Sequence, residues 1–585
     1  MDSGADLNED NPAQFWSMTV YGRLSRFCDA ERHGSAELCA SVRQALRAER
    51  AAMEAELRTL DLRIFALSPA HPSRLPPEVL VHIFSYLFAV RPDLLCYNIK
   101  DPQLVQWARV THVCRRWREV ALDTPSLWRN IVVPLKSAEW SQTILHRVQL
   151  VPIILFWLGR NDQQAPALPV DDLARVEQLK LSQYNGEGSA LVKLLRTPAP
   201  LLEVAEVSCK HVDMSSADLF AGHAPRLRRL HLLHLMSFPW NSPILSNLVC
   251  LEIRNDALEM TGHCSWKSVL LALQKMPALE TLALSNCLPP FPSNVGCVEA
   301  FIVVPSRLKV LQMHGLLQDC VGFLQHFRFP AAGIHLALRC FTPGVATDFS
   351  TLFPVLVAAG GASSAAFVEF VFCMESAEDL TVEGQRAVDW GAATPPIFAW
   401  EGYRTSRSLH LNLTWEDRSG WNAVDLMREL CKTLSVKGLR KLDVDIVETP
   451  PGARRQEVTR EDWLDIFGSA TRLREVRGWG PAARSLCRAL LMTTVDRQAW
   501  RSGLGGPWST FFLPRLHTLG VGVYGQLRHF FPEEGLHLDD LLVRALKTRA
   551  ANDAPVHTLE LSQATHALEG ALHGVVDSVI VEQYE

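Results

Sequence analysis

The side chains best suited to chemistry in this sequence are glycines, histidines and cysteines, and their spacing decides what they could do. Gly520-Val521-Gly522-Val523-Tyr524-Gly525 follows the strand-like run Leu516–Leu519 with the GxGxxG spacing that lets backbone amides approach a pyrophosphate. A dinucleotide site needs a long helix opening directly after such a loop. Pro532 stands seven residues past Gly525 and cuts that helix short, so a glycine-rich turn between repeats is expected instead. His211 beside Asp213, and His112 near Cys114, are residue types that ligate metals or act as bases, but neither pair has a third partner at useful spacing. His231 and His234 straddle one strand-like run and also lack such a partner. The sequence has no HExxH, no Walker loop and, among its 14 cysteines, no CxxC. The expectation is a non-catalytic protein with no cofactor and no metal.

Composition narrows the class further. Hydrophobic residues are 48% and charged residues 21% of 585, which excludes a wholly disordered chain. At roughly 150 residues per domain the length suggests about four units, unless the chain is a solenoid. Lys and Arg number 58 against 63 Asp and Glu, a net charge of −5, and this gives no support to a nucleic-acid footprint. The amino-terminal MDSGADLNEDNPAQFWS is acidic and lacks the apolar run of a signal peptide. Leu150–Leu158, with Pro152 inside it, is far short of the ~20 residues of a membrane span. Scattered single cysteines suit a reducing compartment, so an intracellular protein, cytoplasmic or nuclear, is expected.

Four regions are expected to organise the chain. Residues 1–35 read as a flexible leader. Residues 36–68 read as one amphipathic helix, rich in Ala, Leu, Arg and Glu and free of Pro and Gly, with Leu38, Val42, Leu46, Met53, Leu57, Leu60 and Ile64 on a stripe. That stripe docks on the rest of the protein or pairs with another helix; Pro69 and Pro72 end it. Residues 74–130 read as a three-helix unit. Pro76 and Pro77 suit a helix start, and Leu80, Ile83, Phe84 and Leu87 follow as an i, i+3, i+4, i+7 face. A second helix is expected from Asp101 or Pro102 to about His112, and a third over Cys114–Leu122, before a turn bearing Leu127 and Trp128.

Leu75-Pro76-Pro77-Glu78, then Ile83-Phe84 and Leu87, then Val113-Cys114-Arg115-Arg116-Trp117-Arg118, and finally Leu127-Trp128-Arg129 resemble an F-box, most closely the F-box-like domains abundant in mushroom-forming fungi. The resemblance implies an adaptor that docks on the Skp1-like subunit of an SCF-type, cullin-RING ubiquitin ligase while the rest of the chain holds a protein target. It carries Leu75, Pro76, Leu80, Ile83 and Phe84 onto the first helix of the motif, Val110, Val113, Cys114 and Trp117 onto its later helices, and Leu127 and Trp128 onto its closing turn. The stretch Phe88–Lys100 is longer than in compact F-boxes and could alter the docking surface. The alternative is a scaffold or binding module that does not assemble a ligase.

From 131 to 585 the pattern L-x-x-L-x-L recurs, as in Val176-Leu179-Leu181, Leu230-Leu232, Leu251-Ile253, Leu282-Leu284, Leu311-Met313, Leu442-Val444, Leu519-Val521 and Leu559-Leu561. Starts at 176, 202, 227, 248, 279 and 308 give steps close to the 20–29 residues of a leucine-rich repeat, which resembles the irregular arrays of F-box proteins. An irregular leucine-rich-repeat solenoid of class α/β is therefore expected, its strand surface available to a protein ligand. Between about 314 and 438 no full copy is visible, though Ile334-Leu336-Leu338 and Leu409-Leu411-Leu413 keep the alternation of strands. Pro481–Pro507 reads as an excursion out of the array, with a short helix inside it.

Overall fold

The computed structural model describes residues 12–27, 35–67, 75–87, 109–133, 138–159, 170–183, 194–209, 218–234, 238–255, 265–290, 302–330, 333–342, 349–360, 367–376, 378–386, 408–416, 421–447, 458–492, 511–522, 538–562 and 566–581. The chain divides into two compact units. The first comprises residues 1–89 and 105–124; the second comprises 90–104 and 125–585.

The first unit is helical. Where a loose leader is expected, Pro12–Leu24 is an α-helix followed by a 3-10 turn, Ser25–Phe27. Its apolar side chains Trp16, Met18 and Tyr21 are exposed around the helix instead of forming a stripe, so no periodicity announces it. Arg23 and Arg26 both reach Glu49 on the next helix, Ala36–Leu67. Helix Pro77–Leu87 starts on two prolines, whose missing amide hydrogens would have no intrahelical acceptor there, and the Leu80 amide donates to the Pro76 carbonyl at 3.1 Å. Arg109–His112 forms a 3-10 turn; residues 101–108 of the expected second helix lie outside the described residues. Arg115–Leu122 is the last helix of this unit.

The second unit is built on one sheet with seventeen described strands. They are β1 (Asn130–Val133), β2 (Ile153–Gly159), β3 (Val176–Gln183), β4 (Val204–Cys209), β5 (Arg229–Leu233), β6 (Cys250–Arg254), β7 (Thr281–Ser285), β8 (Val310–Leu316) and β9 (His335–Thr342). The remainder are β10 (Phe367–Met374), β11 (Asp379–Arg386), β12 (Leu409–Trp415), β13 (Lys441–Ile446), β14 (Glu475–Trp479), β15 (Thr518–Gly522), β16 (Thr558–Leu561) and β17 (Ser578–Val581).

From β1 to β9 each strand pairs in parallel with the next, and so do β13 to β17. Register partners run Leu155, Leu179, Ala205, Leu230, Leu251, Leu282, Leu311, Leu336, every one buried, so each L-x-x-L-x-L copy adds its leucines to a continuous core. This is the solenoid logic, in which stacking buries what one repeat leaves open.

The interval where repeats fade holds a rearrangement. β9 pairs in parallel with β12, β12 antiparallel with β11, β11 antiparallel with β10, and β10 in parallel with β13. The spatial order is therefore β9-β12-β11-β10-β13, with β11 running against its two neighbours. The core rows still pass through it: Leu336 faces Leu409, Leu409 faces Gly384, Gly384 faces Phe370 and Phe370 faces Leu442. At Gly384 a Cβ would lie 2.7 Å from the Phe370 ring and 2.8 Å from the Phe367 ring, so two phenylalanines occupy the space a side chain would need.

Helices return the chain between strands and carry explicit start signals. Ser265 Oγ accepts the Ser268 amide ahead of Trp266–Gln274, and Asn422 Oδ1 accepts the Asp425 amide ahead of Ala423–Thr433. Thr459 and Asp462 form a reciprocal capping box that starts Arg460–Phe467 before the apolar run at Trp463. Pro481–Leu490 is not an excursion: Ala482, Ala483, Leu486, Cys487, Ala489 and Leu490 are fully buried, and the helix packs between Arg460–Phe467 and Leu538–Ala550. The rest of that expected excursion, from 493, lies outside the described residues.

Candidate functional site: an outward apolar helix face

Helix Pro77–Leu87 divides its apolar side chains between two faces. Leu80 and Phe84, one turn apart, are fully buried. Phe84 meets the indole of Trp117 edge to face with ring centroids 5.1 Å apart, the geometry aromatic quadrupoles favour. This contact joins Pro77–Leu87 to Arg115–Leu122. Arg116 Nη2 reinforces the join by donating to the Leu75 carbonyl at 2.9 Å. Cys114 caps the second helix from extended backbone, its Sγ accepting the Trp117 amide at 3.5 Å. Arg118 Nε donates to the Thr111 carbonyl at 2.7 Å and fixes the approach to that cap.

The other face points to solvent. Val79, Ile83 and Tyr86 follow one another at i, i+4 and i+7 and are 41%, 40% and 69% exposed, and Val113 is 60% exposed. The Tyr86 hydroxyl lies 3.2 Å from His82 Nε2, which gives this stripe a polar margin. An apolar stripe in water along a short helix is a surface that gains free energy when a partner covers it.

The structure therefore separates residues that the sequence grouped. Leu80 and Phe84 hold the helices together, whereas Ile83, expected on the same face, is outward. Val110 is buried and Val113 exposed; Leu75, Cys114 and Trp117 are half-buried, and Pro76 is exposed. The Leu87 side chain and the Phe88–Lys100 stretch lie outside the described residues. Leu127 and Trp128 are buried in the second unit, where the Arg147 guanidinium sits 4.7 Å above the Trp128 ring and β1 joins the sheet two residues later. The division into two compact units falls at Thr124/Pro125, inside the 74–130 span. Val79 and Tyr86 were missed; their signal was a second i, i+4, i+7 series offset by one residue from Leu80 and Phe84.

The chemistry-bearing residues elsewhere take packing roles. Gly520 and Gly522 lie within β15, not in a turn: a Cβ on Gly520 would come 2.5 Å from Arg477 Cγ, and one on Gly522 would come 2.2 Å from the Trp479 ring. The glycines thus admit side chains from β14, the strand beside them. His231 does have a partner. Its Nδ1 is 2.9 Å from Glu252 Oε2 on the next strand, with Cys250 Sγ 4.0 Å from Nε2, all within the second unit. Glu252 also receives Arg254 Nη2 at 3.0 Å. His211 and Asp213 lie outside the described residues. Among the described residues no group of three His, Cys, Asp or Glu side chains could hold a metal, and no helix is long and apolar enough to cross a membrane.

Residues 72–134 match the F-box-like family model. This span contains both helices just described, the Pro125–Trp128 turn and β1. The segment is an F-box-like domain, a non-catalytic adaptor module that works through protein–protein interaction. Comparison with curated proteins returns no match for the chain.

Proposed function

We propose that this chain is the substrate-recognition adaptor of an SCF-type ubiquitin ligase. In this reading the F-box-like domain docks on a Skp-type subunit and a leucine-rich-repeat array in the second unit holds a protein target. The supporting observation is the outward stripe of Val79, Ile83 and Tyr86 on a helix whose inward residues, Leu80 and Phe84, are already committed to its own core. The adaptor has no bond-making step of its own. It raises the local concentration of target lysines near the charged ubiquitin carrier, and proximity of this kind is worth orders of magnitude in effective molarity.

For the target, the outward face of β10 to β14 is the favoured surface. In the middle outward row, Glu206, His231, Glu252, Ala283 and Gln312 on β4–β8 are buried, whereas Glu383 on β11 and Arg477 on β14 are half-buried and reachable.

Capture of the full chain by a purified Skp subunit tests the proposal. Wild type binds, while Ile83→Asp and Tyr86→Asp, both on exposed positions, weaken capture at least tenfold with an unchanged circular dichroism spectrum. Failure of the wild type to bind removes the ligase and leaves the scaffold reading.

A further inference from the structure

Helix Ala36–Leu67 carries an apolar seam on its carboxy-terminal half. Met53, Leu57, Leu60 and Ile64 are all exposed. Their spacing of four, three and four residues is that of two heptads of a coiled coil, in which alternate core positions line one side of the helix. The amino-terminal half is engaged differently, since Glu49 receives both Arg23 and Arg26.

We propose that this seam is a self-association site, occupied by the same helix of a second copy running antiparallel. The seam is symmetric about a point between Arg58 and Thr59, so reversing one helix places Met53 on Ile64 and Leu57 on Leu60 of the second copy, four complete layers. Such a two-fold contact is self-complementary and closes as a dimer.

The charges beside the seam select the direction. Side by side in parallel, two copies would set Glu56 against Asp61, Glu49 against Glu54, and Arg50 against itself in the core. Running antiparallel, Glu56 instead meets Arg63 of the second copy, twice by symmetry. The remaining encounter, Glu54 with Asp61, involves a carboxylate already held by Arg50 at 2.8 Å. That hydrogen bond and charge keep the Glu54 carboxyl below its usual range. Leu62, also exposed, lies off the seam. Four layers make a small interface, so dimerisation belongs to the weak, concentration-dependent class. A dimer would present two target surfaces in one particle, which strengthens binding to targets with repeated or paired recognition segments.

Sedimentation velocity on the full chain over a wide concentration range tests this, independently of whether a Skp subunit binds. The mass rises from 65.4 kDa toward twice that value as concentration increases. Leu57→Asp with Leu60→Asp holds the protein monomeric while its circular dichroism spectrum is unchanged. Arg63→Glu weakens the dimer at least tenfold, and adding Glu56→Arg restores it. A wild type that stays monomeric up to high concentration overturns the proposal, as does a dimer indifferent to the Leu57/Leu60 change. An Arg63→Glu variant without effect, or one that Glu56→Arg fails to rescue, overturns the antiparallel arrangement.

Discussion

Arg477 on β14 passes over Gly520 and grips Glu560 on β16 with two hydrogen bonds, Nε to Oε2 at 2.6 Å and Nη2 to Oε1 at 3.0 Å. Three adjacent strands are thereby linked on the outward face by one side chain. The middle strand must be bare at that position for the stem to cross.

Gly520→Ala should therefore cost about 1–3 kcal/mol, the usual range for forcing extra atoms into a filled site. The Cβ meets the stem of Arg477 and not its mobile end. Chemical denaturation of Gly520→Ala, compared with Arg477→Ala and with the double variant, checks this. The two changes should be clearly less than additive, because removing Arg477 vacates the space the methyl needs.

Phe84→Ala in the F-box-like domain removes one side of the Phe84–Trp117 contact and leaves a cavity. A loss of about 3–5 kcal/mol is expected in the first unit. Ile83→Asp, one residue away and outward, should leave the melting of that unit close to wild type. Hydrogen exchange on the 77–87 and 115–122 amides separates the two outcomes.

Arg549 is fully buried, with Nη1 donating to the Phe512 carbonyl at 2.7 Å and Nη2 to the Leu513 carbonyl at 2.8 Å. Burial lowers its pKa to about 10, yet it remains charged at neutral pH. Leu513 has a positive φ of 52°, so its backbone depends on being held. Arg549→Ala takes a donor from the Phe512 carbonyl and leaves the Leu513 carbonyl with the Leu516 amide at 3.2 Å, and should cost roughly 2–4 kcal/mol. Proteolysis near residues 511–513 should accelerate correspondingly, and mass spectrometry of the fragments reads it.

Asp443 on β13 has its carboxyl pushed up to about 6, chiefly by burial and further by Asp445, against the opposing pull of Arg477, Trp479 and Lys441. A carboxyl whose pKa is higher folded than unfolded favours the folded state when protonated. Its contribution is present at low pH and declines as pH rises from about 4 through 6. Asp443→Asn should therefore raise the melting temperature at pH 7 and flatten the pH dependence between 4 and 6. A variant less stable than wild type at pH 7 would contradict this.

Where one local period dominates, the sequence discloses the element. The stripe Leu38–Ile64, the Pro-Pro helix start and the leucine triplets each report a helix or a strand on their own. Helix Pro12–Leu24 escaped because Trp16, Met18 and Tyr21 follow no period. Pro481–Leu490 looked like an excursion because small residues such as Ala482 and Ala483 bury fully without resembling a hydrophobic stripe. In the rearranged interval β9 and β12 kept the alternation of strands, β10 and β11 were not read from it, and the direction of each is decided by which distant strand it meets. His231 found its partner 21 residues away, at the same register position one repeat later, where no local motif could point. Within the candidate site, the apolar period located the helix but could not say which of two adjacent series turns inward.

The reversed ribbon also bears on how the protein is made. As synthesis proceeds, β1 to β9 can pair in turn as each strand emerges, but the far edge of β9 has to wait for β12, whose first residue is 67 positions beyond the last of β9. Until then a row of unmet amides and carbonyls stands open on the nascent chain, a ready template for mispairing. The β9 edge therefore stays open from Thr342 to Leu409, and the outer edge of β10 waits equally long, from Met374 to Lys441, for β13.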